Sequence, residues 1–257
     1  MLRWVFRAGL LIAALVIGTI VTVYHEHGAL AHDWRTASRE SAGIAPKPDE
    51  FHDPVIQIYG ARAWSWRGCF GVHTWISTKR AGAEDYTVYE VMGWRARYGG
   101  SAIAISNRPP DGRWFGKEPD LLLDLRGPQY EAVIDKVEAA VERYPYPNEY
   151  TVWPGPNSNT FTAFVAREVP ELNVDLPPTA IGKDYLPGTI FAETPSNSGV
   201  QLSLAGLLGV MIAVEEGVEV NVLGLTFGID PLGLAVKLPG IGRIGKSDVE
   251  TPEGNDL

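Results

Sequence analysis

Val55-Ile56-Gln57-Ile58-Tyr59 opens a series of short apolar and β-branched runs that read as strands. Gly71–Thr78 gives a second strand, the alternation over Tyr86–Trp94 a third, and Ala102–Ser106 a fourth. Arg108-Pro-Pro-Asp-Gly112 breaks the series. The period then changes. Within Pro128–Tyr144, Ala132, Val133, Val137, Ala140 and Val141 share one helical face, and Glu131, Asp135, Lys136, Glu138 and Glu142 fall elsewhere. Gly127-Pro128 is its start signal. A second helix is predicted from Ser158 or Asn159 to about Val169, stopped by Pro170. From Gly199 to Gly245 the chain is rich in glycine and leucine. The apolar run Leu207–Val214, the turn Glu215-Glu216-Gly217, the alternation over Val218–Thr226, the turn Asp230-Pro231 and the run Leu234–Leu238 predict a β-meander that builds a core. Val200–Val214 is too short to cross a membrane, contains Gln201 and Ser203, and runs into two glutamates.

The N-terminal end carries a different pattern. Ala8–Tyr24 has no charge, and with Trp4–Phe6 it just reaches the ~20 residues that a helix needs to span a bilayer. Arg3 and Arg7 precede it. The expected element is an uncleaved signal anchor. The alternative is a cleaved signal peptide, because Ala29-Leu30-Ala31 matches a small-x-small cleavage site; the apolar run is longer than the ~7–15 residues usual for one. Either way the two arginines stay inside and the remainder is exported. The expected organisation is therefore a transmembrane anchor over residues 1–31, a linker over 32–53 containing Pro46 and Pro48, a folded unit over 54–245, and a flexible tail over 246–257. The chain is then single-pass in the cytoplasmic membrane, with the bilayer as partner through Ala8–Tyr24 and the C-terminal domain facing the periplasm or exterior.

Composition narrows the function classes. The chain has 257 residues and is 45% hydrophobic, so disorder throughout is excluded. A net charge of -9 without a basic block argues against nucleic acid as the main partner. A single cysteine, Cys69, excludes an internal disulfide framework and a multi-cysteine metal site. His25-Glu26-His27 with His32 and Asp33 falls in the expected linker, where nothing fixes metal geometry, so neither metal nor cofactor is expected.

Three residues carry candidate chemistry. His73 sits inside a predicted strand and is the only histidine beyond Asp53. Glu90 lies on the next strand, where a carboxylate can fix an imidazole tautomer. Ser158 follows Trp153-Pro-Gly-Pro-Asn157 at a helix start, where the positive end and free N–H groups favour a developing oxyanion. The plainer readings are an N-cap for the Asn-Ser-Asn-Thr run, a solvent-facing Glu90 and a core histidine. Cys69 lies four residues before His73 and reads as a small core residue. Trp64, Trp66, Trp75, Trp94, Trp114 and Trp153 are concentrated in this region with Arg62, Arg67 and Arg95. They fill a core or line a groove for a glycan or acyl chain bearing a carboxylate or phosphate.

The segments Tyr59-Gly-Ala-Arg-Ala-Trp-Ser-Trp-Arg-Gly68, His73-Thr-Trp-Ile76, Trp153–Phe161, Ala180-Ile-Gly-Lys-Asp-Tyr185 and Lys237–Gly245 resemble a family of uncharacterised bacterial membrane-anchored proteins. More distantly, His-Thr-Trp-Ile followed by Asn-Ser-Asn-Thr-Phe resembles the circularly permuted papain-fold group, which includes NlpC/P60-like and desumoylating-type peptidases. That resemblance implies an α+β fold with an antiparallel sheet packed on helices. It also implies His73 as base, Ser158 at the nucleophile position and Glu90 as orienting residue. The group carries cysteine where this chain has Ser158, and a serine must lose its proton to the base during attack. The expected function is a cell-envelope hydrolase or acyltransferase acting on amide or ester bonds, with Asn157, Asn159, Trp153, Trp75, Arg62, Trp66 and Arg67 binding substrate. The alternative is a catalytically inactive binding module for an envelope glycopeptide, lipid or partner protein.

Overall fold

The computed structural model describes residues 35–246, together with Arg3, Phe6, Gly9, Ile20, Thr22 and Val23. The expected anchor over Ala8–Tyr24 and the tail beyond Lys246 otherwise lie outside the described residues, among which no helix is long and apolar enough to cross a membrane.

Strands β1 (Val55–Arg62), β2 (Val72–Lys79), β3 (Thr87–Val91), β4 (Ile103–Ser106) and β5 (Asp120–Arg126) form an antiparallel sheet in the order β4-β3-β2-β1-β5. Helices α2 (Glu131–Glu142) and α3 (Ser158–Glu168) cover one face. Side chains alternate across a strand, so Ile56, Ile58, Val72, Ile76, Tyr89 and Val91 point to the helices and meet Ile134, Val137, Phe161 and Val165 in the main core. The opposite alternation puts Tyr59, Ala61, Trp75 and Val88 into a smaller core with Trp114, Leu121 and Ile44. The α+β class expected from the sequence holds.

Four details differ from expectation. The third strand ends at Val91, because the chain turns into the single-turn helix α1 (Gly93–Arg97). The ring of Tyr150 occupies the place where a side chain at Gly93 would begin, 2.5 Å from that Cβ position. Strand β5, the apolar run Leu121–Leu123 closed by Asp124, pairs with β1 and was not expected. The expected linker does not stand off the domain: Asp111 accepts hydrogen bonds from the Ser41 hydroxyl and the Ile44 and Ala45 N–H groups, and the Pro46 carbonyl takes the Tyr86 hydroxyl. A buried carboxylate thus pins residues 41–45 over the smaller core.

The fourth difference is the meander. Strands β6 (Phe191–Glu193), β7 (Gly199–Leu204), β8 (Leu208–Ala213), β9 (Gly217–Val222), β10 (Leu225–Asp230), β11 (Ala235–Leu238) and β12 (Gly242–Ile244) pair in sequence order as a separate seven-stranded sheet. The run Val218–Thr226 is two strands, since Leu223-Gly224 is a turn. The meander does not bury its apolar side. Gln201, Ser203, Glu219, Asn221 and Lys237 face inward and are buried, whereas Val200, Leu202, Val210 and Ile212 face outward and are exposed. Buried charge is tolerated only when paired. Here Glu219 bridges Lys183 (2.6 Å) and Lys237 (2.7 Å), and Lys237 also meets Asp175 (2.6 Å).

Candidate functional site

His73 Nε2 lies 2.9 Å from Glu90 Oε2, and Arg108 Nε donates to Glu90 Oε1 at 2.9 Å. Glu90 is fully buried and His73 nearly so. Burial opposes the charge on Glu90, yet the contacts with His73 and Arg108 win and hold its carboxyl below the ordinary value. Burial also lowers the His73 pKa; Glu90 raises it and Arg108 lowers it. The imidazole is therefore neutral while Glu90 is ionised. Its single proton must sit on Nε2 to donate to Glu90, leaving the lone pair on Nδ1.

Rings extend outward from this pair. His73 stacks on Trp114 with centroids 3.8 Å apart, Trp94 stacks on Trp114 at 6.2 Å, and Arg108 lies over the Trp75 ring at 4.7 Å. Trp94, on α1, is 45% exposed. Arg95, Arg97 and Tyr98 follow it in sequence, and all three are exposed. Tyr150 packs against Gly93 and feels the charge of Arg67, whose neighbour Trp66 is 61% exposed. An aromatic and cationic surface thus surrounds the outer end of the stack.

The expected Ser158–His73 pair is not assembled. On β2, Thr74 bonds Asn159 Oδ1 (3.0 Å) and Thr162 Oγ1 (2.9 Å) of α3, so the Thr74 side of the strand faces the helix. His73, one residue earlier, points to the other face of the sheet. Glu90 supplies the only hydrogen bond to the His73 ring among the described residues.

The expected oxyanion donors are occupied as well. Asn157 is the N-cap of α3, and its Oδ1 accepts from the Asn159 N–H (2.9 Å) and the Thr160 N–H (3.2 Å). Asn157 Nδ2 donates to the Val152 and Ile181 carbonyls. Asn159 Nδ2 donates to the Val72 and Ile181 carbonyls. Gly182, at φ 102, lets Asn157 approach: a Cβ there would fall 2.4 Å from Nδ2. The Asn-Ser-Asn-Thr run is a clamp that joins helix, strand and the loop at 181–182.

The remaining expected ligand residues divide. Trp75 is fully buried with its indole N–H on the Pro110 carbonyl (2.7 Å). Arg62 donates to the Gly240 and Ile241 carbonyls and ties the first sheet to the meander, and Trp153 donates to the Leu223 carbonyl and ties the turn before α3 to it. Trp66, Arg67 and Trp153, the last 50% exposed, keep the exposure that ligand contact needs. Arg108 was missed. The signal available for it was that a strand glutamate between Tyr89 and Val91 needs a cation if buried. Cys69 is buried, as a small core residue should be. Among the described residues no three His, Cys, Asp or Glu side chains converge as metal ligands do.

Fold and site define an α+β domain with a buried His–Glu–Arg cluster under an aromatic surface. The chain belongs to the family described as a protein of unknown function (DUF3750), whose sequence model matches residues 53–185. That span holds the first sheet, the three helices and both clamp segments, and it ends before the meander. No curated protein matches the chain, and no solved structure does.

Proposed function

We propose that this chain is a membrane-tethered binding module of the cell envelope that recognises a carboxylate-bearing glycan fragment on the surface around Trp94. One observation carries the reading: the stack His73–Trp114–Trp94 is held rigid at its inner end by Glu90 and Arg108 and reaches an exposed ring beside Arg95 and Arg97. Sugar faces pack on indole rings, and guanidinium groups pair with carboxylates in a planar, bidentate way. A rigid platform loses little conformational freedom on binding, which favours affinity. The occupied N–H groups at the start of α3 favour binding over acyl transfer.

Titration calorimetry of the full chain in detergent with a soluble disaccharide-peptide fragment tests this. Binding is expected for the fragment that carries carboxylates and not for a neutral oligosaccharide of equal length. Trp94→Ala is expected to weaken it at least about tenfold, which corresponds to about 1.4 kcal/mol. Equal binding by wild type and Trp94→Ala defeats the reading.

A further inference from the structure

The meander inverts the usual arrangement of a soluble sheet, with charge beneath and aliphatic side chains outward. Leu202 and Leu204 on β7, Val210 and Ile212 on β8, Val220 on β9 and Val236 on β11 are all exposed on one face. Seven strands of three to six residues, about 4.8 Å apart, make a face of about 500 Å², toward the upper end of what monomers leave to water. The connections are apolar too. Leu223, Leu232 and Leu234 are exposed in the turns, Leu232 and Leu234 at 76% and 82%. Leu223 and Leu234 adopt φ 55 and 48, the left-handed region where glycine or asparagine is usual. Leucine at such positions points to a use for an outward apolar side chain that outweighs turn geometry.

We propose that this face of the meander lies in the apolar layer of a lipid bilayer, as a second membrane contact beside the N-terminal segment. Thr22, within the charge-free run Ala8–Tyr24 of the sequence, lies at the edge of this same sheet, where its hydroxyl donates to the Gly240 carbonyl at 3.0 Å in the β11–β12 turn. A bilayer that takes up that run is therefore beside the meander. A single segment about 10 Å wide spans only about a third of a sheet about 30 Å across, so the face calls for a broader apolar partner. A second copy is the less suited occupant, since stable protein interfaces bury about 800 Å² per partner. The inward network explains why the strands can turn their apolar side out: Glu219, Lys183, Lys237 and Asp175 pair beneath the sheet and anchor it on the domain.

The test uses the full chain in vesicles of phosphatidylcholine and phosphatidylglycerol. Leu202→Cys and Ile212→Cys are labelled with an environment-sensitive fluorophore, with Glu142→Cys, exposed on α2, as reference. Emission at 202 and 212 is expected to shift to the blue and to be quenched several-fold more than at 142 by lipids carrying spin labels in their acyl chains. Quenching equal to that at 142 overturns the proposal. So does a blue shift without lipid quenching accompanied by cross-linking between copies through position 212, which assigns the face to a second chain. The labelled positions are exposed, so circular dichroism matching wild type confirms that the variants fold. Glycan binding in detergent through Trp94 is independent of this result.

Discussion

His73 Nε2 and Glu90 Oε2 meet at 2.9 Å across neighbouring strands, on the face of the sheet turned away from both long helices. The geometry matches the base and orienting carboxylate of a catalytic triad, but the third group is on the other side. What the pair holds in place is the indole of Trp114. Its role on this reading is architectural: a charge-fixed base for an aromatic stack.

Glu90→Gln follows directly. The substitution keeps shape but leaves the partly buried Arg108 guanidinium without the carboxylate that it pairs with. Breaking a buried ion pair from one side costs about 3–5 kcal/mol. Chemical denaturation is expected to show a loss of that size, with reduced Trp94 fluorescence anisotropy contrast between free and ligand-bound chain. A loss under 1 kcal/mol means the cluster is hydrated and does not brace the stack.

The same pair makes the domain sensitive to acid. The His73 pKa is below its ordinary 6.5, so the unfolded imidazole binds a proton that the native site refuses. Its contribution is fully present above pH 6.5 and is lost as pH falls. Glu90 is held below its ordinary 4.5 and adds the same sign at lower pH. The stability difference between wild type and His73→Gln is therefore expected to shrink as pH drops from 7.5 to 5.5, measured by urea unfolding at each pH. A difference that is flat across this range contradicts a depressed histidine.

Position 158 and its neighbour 157 are expected to behave oppositely. Ser158 donates no bond that α3 depends on, whereas Asn157 caps two N–H groups and holds two carbonyls. Ser158→Ala should stay within about 0.5 kcal/mol of wild type. Asn157→Ala removes a cap, worth about 0.5–2 kcal/mol, and takes the amide from the Val152 carbonyl, while Asn159 still holds the Ile181 carbonyl. Thermal unfolding of the two variants side by side decides it.

How much of this the sequence displays depends on what sets each feature. Strand and helix positions follow from local period, and β1, β2, β4, α2 and α3 lie where Val55–Tyr59, Gly71–Thr78, Ala102–Ser106, Pro128–Tyr144 and Ser158–Val169 place them. The pairing of His73 with Glu90 is legible because neighbouring strands put like-facing residues together. Which side Ser158 occupies is not legible: it turns on strand parity, and Thr74, a single residue from His73, is the one that faces α3. Alternation over Val218–Val222 likewise reveals a two-faced sheet without saying which face is inward. The polar side is buried because Lys183, from a loop far back in the chain, pairs with Glu219.

Two acids in that buried network are expected to respond to neutralisation in opposite ways. Burial pushes Asp175 up to about 7 in spite of Lys237 and Lys183, and its Oδ1 is buried without a hydrogen-bond partner. Glu219 is equally enclosed, but Lys183 and Lys237 outweigh burial and hold it below its ordinary value. The native fold thus favours a neutral Asp175 and an ionised Glu219. Because the folded pKa of Asp175 exceeds its ordinary 3.8, the native state binds the extra proton between pH 3.8 and about 7. Its contribution to stability is then present at low pH and is lost as pH rises through about 7. Asp175→Asn mimics the favoured neutral form and should be at least as stable as wild type at pH 8, with that advantage shrinking as pH falls toward 4. Glu219→Gln removes the charge on which two buried lysines depend and should cost about 3–5 kcal/mol at pH 8. Equal losses for the two variants in urea unfolding at that pH contradict this division of charge.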